Sequence, residues 1–256
     1  MSYLSDGIVV TGLVTIPRGG AGPYPVLMLL HGGVDQSAYQ QGDDTAELAD
    51  YFARRGYLTF APDYRSYNHT SGSGSPLKIP WVIDVMNAIQ ALPTLPEADP
   101  SRVGVVGHSR GGGLAGYLMV IAQPPAPQVD AVSLYAPLHM DQAVNWETYA
   151  TTFGADWPLR DAEVVGSPTT NPTGYAMVSP INYLDRVAMP VQIHHGALDG
   201  TLPVRWSRDL DARLRALGKS VEYFEYPGAD HTFYGTDFNL FLERNLAFFD
   251  RYVKGE

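Results

Sequence analysis

Short apolar runs recur along the chain, each closed by glycine or proline and followed by a longer stretch with helical spacing. Residues 26–30 run into His31-Gly32-Gly33, 58–61 into Pro62-Asp63, 103–106 into Gly107, 131–135 into Ala136-Pro137, 191–194 into His195-Gly196, and 221–224 towards Tyr226-Pro227-Gly228. Runs this brief, apolar on both faces, read as buried strands of a mainly parallel sheet. Between them the apolar spacing predicts helices over 43–55, 81–92, 110–122, 203–217 and 238–253. Gly56 and Gly218 stand where helices usually stop, and Pro203 where one begins. Strands alternating with helices imply an α/β architecture with right-handed crossovers. Residues 7–16 alternate less cleanly and suggest an antiparallel hairpin at the sheet edge.

Residues 138–180 break this rhythm, with no clear strand and with Trp146, Tyr149, Phe153, Trp157 and Tyr175 among them. So long a connection reads as a lid-like insertion over a site, and Trp146, Trp157 and Tyr175 are its candidate substrate contacts. The bland alternative is an outer helix and loop whose aromatics merely pack. At 256 residues the chain suits one domain, 1–256, with the insertion inside it.

Composition narrows the function. A formal charge of −10 disfavours nucleic acid and anionic membranes. No segment approaches the ~18 consecutive apolar residues of a membrane span. The N-terminus lacks a secretion signal, so a soluble, cytoplasmic protein is the expectation. The absence of cysteine removes disulfides, thiolate metal sites and a cysteine nucleophile. No histidine pair stands at helical spacing beside a glutamate, so neither a zinc site nor a cofactor is expected. Oligomeric state is not readable, and a homo-oligomer is compatible with the chain.

The chemistry concentrates where strands end. Gly107-His108-Ser109-Arg110-Gly111 lies between a predicted strand and a predicted helix. There a serine sits on a sharp turn with its hydroxyl exposed, and the flanking glycines let strand and helix approach closely. The N–H of Arg110, at the helix start, would face a developing oxyanion. A glycine-rich βα turn or an anion site at a helix end is the plainer explanation.

A serine hydroxyl needs a histidine to take its proton and a carboxylate to orient that histidine. Asp199 and His231 follow later strands, so Ser109, Asp199 and His231 stand in the order Ser, Asp, His on three strand-end loops. Asp141 is the rival acid, and Asp230 would have to fold back on its neighbour. Gly33 is the second oxyanion candidate, with Val34 the alternative. His108 is expected to pack behind the serine.

Gly107-His108-Ser109-Arg110-Gly111-Gly112, His31-Gly32-Gly33, residues 195–203 and Asp230-His231 together resemble the prolyl-oligopeptidase-like and dienelactone-hydrolase-like branch of the α/β hydrolases. The resemblance covers about 7–253 and implies the α/β-hydrolase fold. It also implies the roles nucleophile, oxyanion donor, acid and base at the matching positions. Three departures point to a compact esterase: no propeller, Val34 where many such peptidases carry proline, and no cysteine nucleophile. The expectation is therefore a carboxylic-ester hydrolase of small-molecule esters, aromatic or phenolic if the lid contributes. The alternatives are an amidase or small-peptide hydrolase using Asp156, Asp161 or Glu163 of the lid, and a binding receptor on the same scaffold.

Overall fold

Asp6 and Gly7, with φ of 51° and 78°, turn the chain between β1 (Ser2–Ser5) and β2 (Ile8–Thr15). Two positive-φ residues give a hairpin turn whose twist matches that of the paired strands. An antiparallel hairpin does stand at the sheet edge, but the expected segment 7–16 supplies only its second strand, which pairs with Ser2–Ser5 and joins the main sheet. The computed structural model describes residues 1–256 except 21, 69, 75–76, 123–125, 152–156 and the side chain of Trp157. His69, Phe153 and Asp156 therefore lie outside the described residues.

The remaining strands are β3 (Tyr24–Leu30), β4 (Leu58–Pro62), β5 (Ala98–His108), β6 (Ala131–Tyr135), β7 (Val191–Gly196) and β8 (Val221–Tyr226). They form one eight-stranded sheet in the order β1-β2-β4-β3-β5-β6-β7-β8, antiparallel at the β1 and β2 edge and parallel elsewhere. The helices are α1 (Ala46–Ala53), α2 (Ile79–Ala91), α3 (Arg110–Ile121), α4 (Gln142–Thr151), α5 (Trp157–Val165), α6 (Pro172–Met177), α7 (Arg205–Ala216) and α8 (Gly235–Phe249).

Alternate residues of β3 feed two separate apolar layers. Val26, Met28 and Leu30 pack with Val85, Leu118 and Ile193 on one face; Leu27 and Leu29 pack with Phe52, Phe241 and Phe249 on the other. This two-sided burial is why the strand reads as an unbroken apolar run. Each such side chain contributes about 1.5–3 kcal/mol by leaving water.

Of the boundaries that differ from the sequence expectation, two have a plain structural cause. β5 begins at Ala98 rather than 103, because Tyr24 and Pro25 pair with Ala98 and Asp99 before the register shifts to Val26 opposite Val103. The polar residues 100–102 are looped out there, so no apolar pattern marks the strand's start. α1 begins at Ala46 rather than 43, because Asp44 has φ 64° and cannot continue a helix. The described part of 138–180 holds α4, α5 and α6 and no strand, between β6 and β7. Among the described residues no helix is long and apolar enough to cross a membrane.

Candidate active site

Ser109 stands between the end of β5 and the start of α3 with φ 54° and ψ −114°. That conformation costs about 1–3 kcal/mol for a non-glycine residue and persists only when its surroundings hold it. Here the Ser109 N–H donates to the Tyr135 carbonyl at 2.8 Å, and its own carbonyl accepts from Gly113 at 3.0 Å and Leu138 at 3.2 Å. Glycine is required around it. A Cβ at Gly107 would lie 2.3 Å from the Gly111 oxygen, and one at Gly111 2.0 Å from the Leu30 oxygen.

Asp199 follows β7 and is buried, with every contact of its carboxylate to a donor. Its Oδ1 accepts the N–H groups of Thr201 at 2.8 Å and Leu202 at 2.7 Å. Its Oδ2 accepts from His231 Nδ1 at 2.8 Å and His195 Nε2 at 2.9 Å. Burial on its own would raise the pKa of Asp199. The bonds from His195, His231 and Leu202 outweigh it and hold the carboxyl well below the usual range, so it stays ionised. With Nδ1–H of His231 committed to the carboxylate, Nε2 of His231 is the free base.

His231 and Ser109 line one cleft of about 400 Å³, together with Gly32, Gly33, His108 and Tyr149. No hydrogen bond joins Ser109 Oγ to His231 Nε2 among the described residues; such contacts often tighten only when substrate is bound. The other two carboxylates serve backbone. Asp141 Oδ1 accepts from Ala143 N–H at 2.8 Å and Ser179 Oγ at 3.3 Å at the start of α4. Asp230 Oδ1 accepts the N–H groups of Gly200 at 3.0 Å and His231 at 2.7 Å.

On the opposite side, the N–H of Gly33 has no acceptor among the described residues, whereas that of Val34 is turned onto the Gly32 carbonyl at 3.1 Å. The N–H of Arg110, first residue of α3, likewise has no intrahelical partner. Position 32 is tight, since a Cβ there would meet Asp44 Oδ2 at 3.0 Å and Ser109 Cβ at 3.3 Å and push on both; nothing lies within 4 Å of a Cβ at Gly33.

Sequence reasoning missed Asp44. Its Oδ2 accepts the Gly32 N–H at 2.6 Å, and its carboxylate meets His108 Nδ1 at 2.9 Å. His108 stacks on Tyr135 at 4.2 Å and presents Nε2 to the His231 carbonyl at 3.2 Å. One carboxylate thereby ties the Gly32 loop to the His231 loop through His108. Nothing in the sequence marked Asp44, which sits where the spacing predicts helix. His31 is a core residue, stacked on Tyr64 at 4.3 Å, and burial pushes its pKa down to about 4.

The aromatic contacts expected from the lid need correction. Tyr175 is fully buried, with its hydroxyl on the Gly166 carbonyl at 3.1 Å, so it packs within the insertion. Trp146 donates Nε1–H to the Pro158 carbonyl at 2.8 Å, tying α4 to α5. Neither lines the cleft of Ser109 or the cavity adjoining it, and the side chain of Trp157 is outside the described residues. Tyr149 is the α4 aromatic that lines both; Tyr67 and Trp81 join it in the adjoining cavity, of about 290 Å³. Among the described residues no three His, Asp or Glu side chains gather to hold a metal ion.

In sequence the chain is 26% identical over 241 residues to an uncharacterized peptidase of Bacillus subtilis, YtmA, covering 90% of this chain and 84% of that protein. It is 28% identical over 228 residues to the esterase LipC of Mycobacterium tuberculosis, covering 82% and 53%. The acylaminoacyl peptidase of Pyrococcus horikoshii superposes with a TM-score of 0.76 at 22% identity, over 99% of this chain and 41% of that one. Est1E of Butyrivibrio proteoclasticus, solved with ferulic acid, gives 0.74 at 17% identity over 99% of both chains. The chain thus spans only 53% of LipC and 41% of the acylaminoacyl peptidase, and these structural likenesses establish the α/β-hydrolase fold. Residues 44–256, which include Ser109, Asp199 and His231, match the prolyl oligopeptidase family, and the chain belongs to that family.

Proposed function

We propose that this protein is a serine hydrolase that cleaves carboxylic esters of small molecules through an acyl-enzyme. The observation that carries the reading is the buried Asp199 carboxylate on His231 Nδ1, in the cleft that also holds the strained Ser109. His231 Nε2 takes the proton from Ser109 as Oγ attacks the ester carbonyl. The N–H groups of Gly33 and Arg110 receive the oxyanion. His231 then protonates the leaving alcohol, activates a water against the acyl-enzyme, and returns the proton to Ser109. Asp199 fixes the ring and stabilises the imidazolium. Tyr67, Trp81 and Tyr149 wall the adjoining cavity, so a group carried by the substrate packs there against aromatic faces.

A peptidase that holds a free peptide amine would need an uncommitted carboxylate near the cleft. Asp161 lines the adjoining cavity but accepts the Leu77 N–H at 2.9 Å, and Glu163 is exposed and lines neither space. Among the described residues these two carboxylates favour the ester over the aminoacyl amide, Asp156 lying outside them, and comparing p-nitrophenyl esters with aminoacyl anilides separates the two. Ser109→Ala is expected to lower turnover of p-nitrophenyl acetate about a thousandfold or more. A fluorophosphonate probe should label the wild type and not the variant. Undiminished turnover by Ser109→Ala would refute the assignment, and failure of the probe on wild type would favour a binding protein instead.

A further inference from the structure

The cavity beside Ser109 is a cationic island in an acidic protein. Among the described residues Arg110, Lys78 and Arg160 line it against one carboxylate, Asp161, whereas the whole chain carries a net charge of −10. We propose that this cavity is a carboxylate-binding subsite, so that the preferred substrates are esters whose acyl part carries a second, ionised carboxylate. The inference rests on the esterase reading above and names the substrate class of that same site.

Arg110 is the first support. Its Nη2 is fixed by the Gly32 carbonyl at 2.6 Å and by the Tyr67 hydroxyl, and its guanidinium lies 4.7 Å from the Trp81 ring centre. No carboxylate pairs with it, and its buried Nε has no acceptor among the described residues. A guanidinium held by aromatic faces and one edge, with a donor left over, is arranged to receive a planar anion.

Lys78 is the second. Leu77 and Lys78 have φ of 52° and 63°, two successive left-handed residues that are not glycine. The strained turn is kept by Asp161 on the Leu77 N–H and by the start of α2, where Trp81 N–H donates to the Lys78 carbonyl at 3.1 Å. Its effect is to bury a lysine that an ordinary turn would leave in water; Lys78 is 8% exposed. Burial, aided by Arg110 and opposed by Asp161, draws the ammonium pKa down to about 7, so an anion entering the cavity would stabilise the charged form.

Position is the third. Gly33, Val34 and Tyr149 line both this cavity and the cleft of Ser109, so the two spaces adjoin. A short acyl chain whose carbonyl lies over Ser109 would extend towards the cations, while a long alkyl chain would have to pack against charged groups.

The test compares 4-nitrophenyl hydrogen glutarate with its neutral methyl ester, 4-nitrophenyl methyl glutarate, at pH 7 in 0.15 M salt. The acid is expected to have the higher kcat/KM by about tenfold or more, as charge-assisted pairing in a half-buried site would give. Arg110→Gln should bring the ratio close to one, and Lys78→Met and Arg160→Gln should each lower it severalfold. The two milder variants keep the test open if Arg110→Gln does not fold. A wild-type ratio at or below one, with neutral esters turned over, overturns this inference and leaves the esterase reading standing. If neither ester is hydrolysed, the esterase reading fails, and titration calorimetry with monomethyl glutarate decides the subsite: binding that weakens in Lys78→Met supports it, and no binding overturns it.

Discussion

Asp199→Asn separates the orientation of His231 from the shape of the site, because every partner of the carboxylate is a donor. Oδ1 faces the N–H groups of Thr201 and Leu202, and Oδ2 faces His231 and His195. His195 Nε2 also faces the Leu202 carbonyl at 3.2 Å, so this nitrogen carries its proton. An asparagine must turn its NH2 against one pair of donors. Backbone amides cannot change, but both histidines can switch tautomer: His195 can move its proton to Nδ1, 2.7 Å from the Ser207 hydroxyl. The amide therefore faces the histidines, and His231 is left with its proton on Nε2, unable to accept from Ser109. The expected loss in kcat is about ten-thousandfold, the scale seen when a triad aspartate is neutralised with its geometry intact. The two backbone bonds are kept and the two histidine bonds reverse direction at the cost of the tautomer changes, so stability should fall by only about 1–3 kcal/mol. Steady-state kinetics on p-nitrophenyl acetate, with urea unfolding as the control on folding, measure both quantities. A folded Asp199→Asn within tenfold of wild type, or an Asp141→Asn variant equally impaired, would refute the reasoning.

The remaining expectations concern the supports of the site. Asp44→Ala removes the tie between the Gly32 loop and His108, and should lower kcat about tenfold with little change in KM; equal kcat would show that His231 is held without it. Gly32→Ala should cost at least tenfold more activity than Gly33→Ala, because only the first pushes a Cβ onto Asp44 and Ser109; parity of the two variants in steady-state assays contradicts this. Buried neutral histidines should also make the fold acid-labile. His31, whose pKa is lowered to about 4, and His194, lowered well below its ordinary value, both by burial first, stay uncharged while the unfolded chain takes up protons below about pH 6.5. The unfolded state then binds more protons, so stability falls as pH falls, by about 2 kcal/mol at pH 5 for His31, with His194 acting in the same direction. Urea midpoints at pH 7, 6 and 5 should drop in step, and a flat series would show that these rings are not kept neutral.

What the sequence revealed was carried by local chemistry. The strands were visible because the sheet is buried on both faces, and the Ser109 turn because its glycines are dictated by contacts under 3 Å with the chain's own backbone. The meeting of Asp199 with His231 was foreseeable because both follow parallel strands and so stand at the same edge of the sheet. Asp44 was hidden: its left-handed conformation and its reach to Gly32 and His108 are tertiary facts with no periodic trace. The lid aromatics misled for the related reason that composition does not say which way a ring faces. Tyr175 and Trp146 use their polar atoms on nearby carbonyls of the insertion, while Tyr149 reaches the cleft. The strained pair Leu77 and Lys78 was equally illegible, since neither residue type favours positive φ.

Arg110 is where reaction and recognition meet, and it allows them to be told apart. Its main-chain N–H, at the start of α3, belongs to the proposed oxyanion site, while its side chain belongs to the adjoining cavity. Substituting the side chain leaves the N–H in place but releases the Gly32 carbonyl, so Arg110→Gln is read in the ratio of charged to neutral substrates, where a loss common to both cancels. Asp199→Asn acts on His231, the proposed base for every substrate, and should depress both esters by the same factor. The two changes are predicted to be separable: one moves the acid-to-neutral ratio, the other moves the rate and keeps the ratio. A double variant should then show both effects, additive in log units, because the side chains share no partner. If Asp199→Asn also shifts the ratio, the cations and the acid–base pair are coupled, and the assignment of the cavity to recognition alone fails.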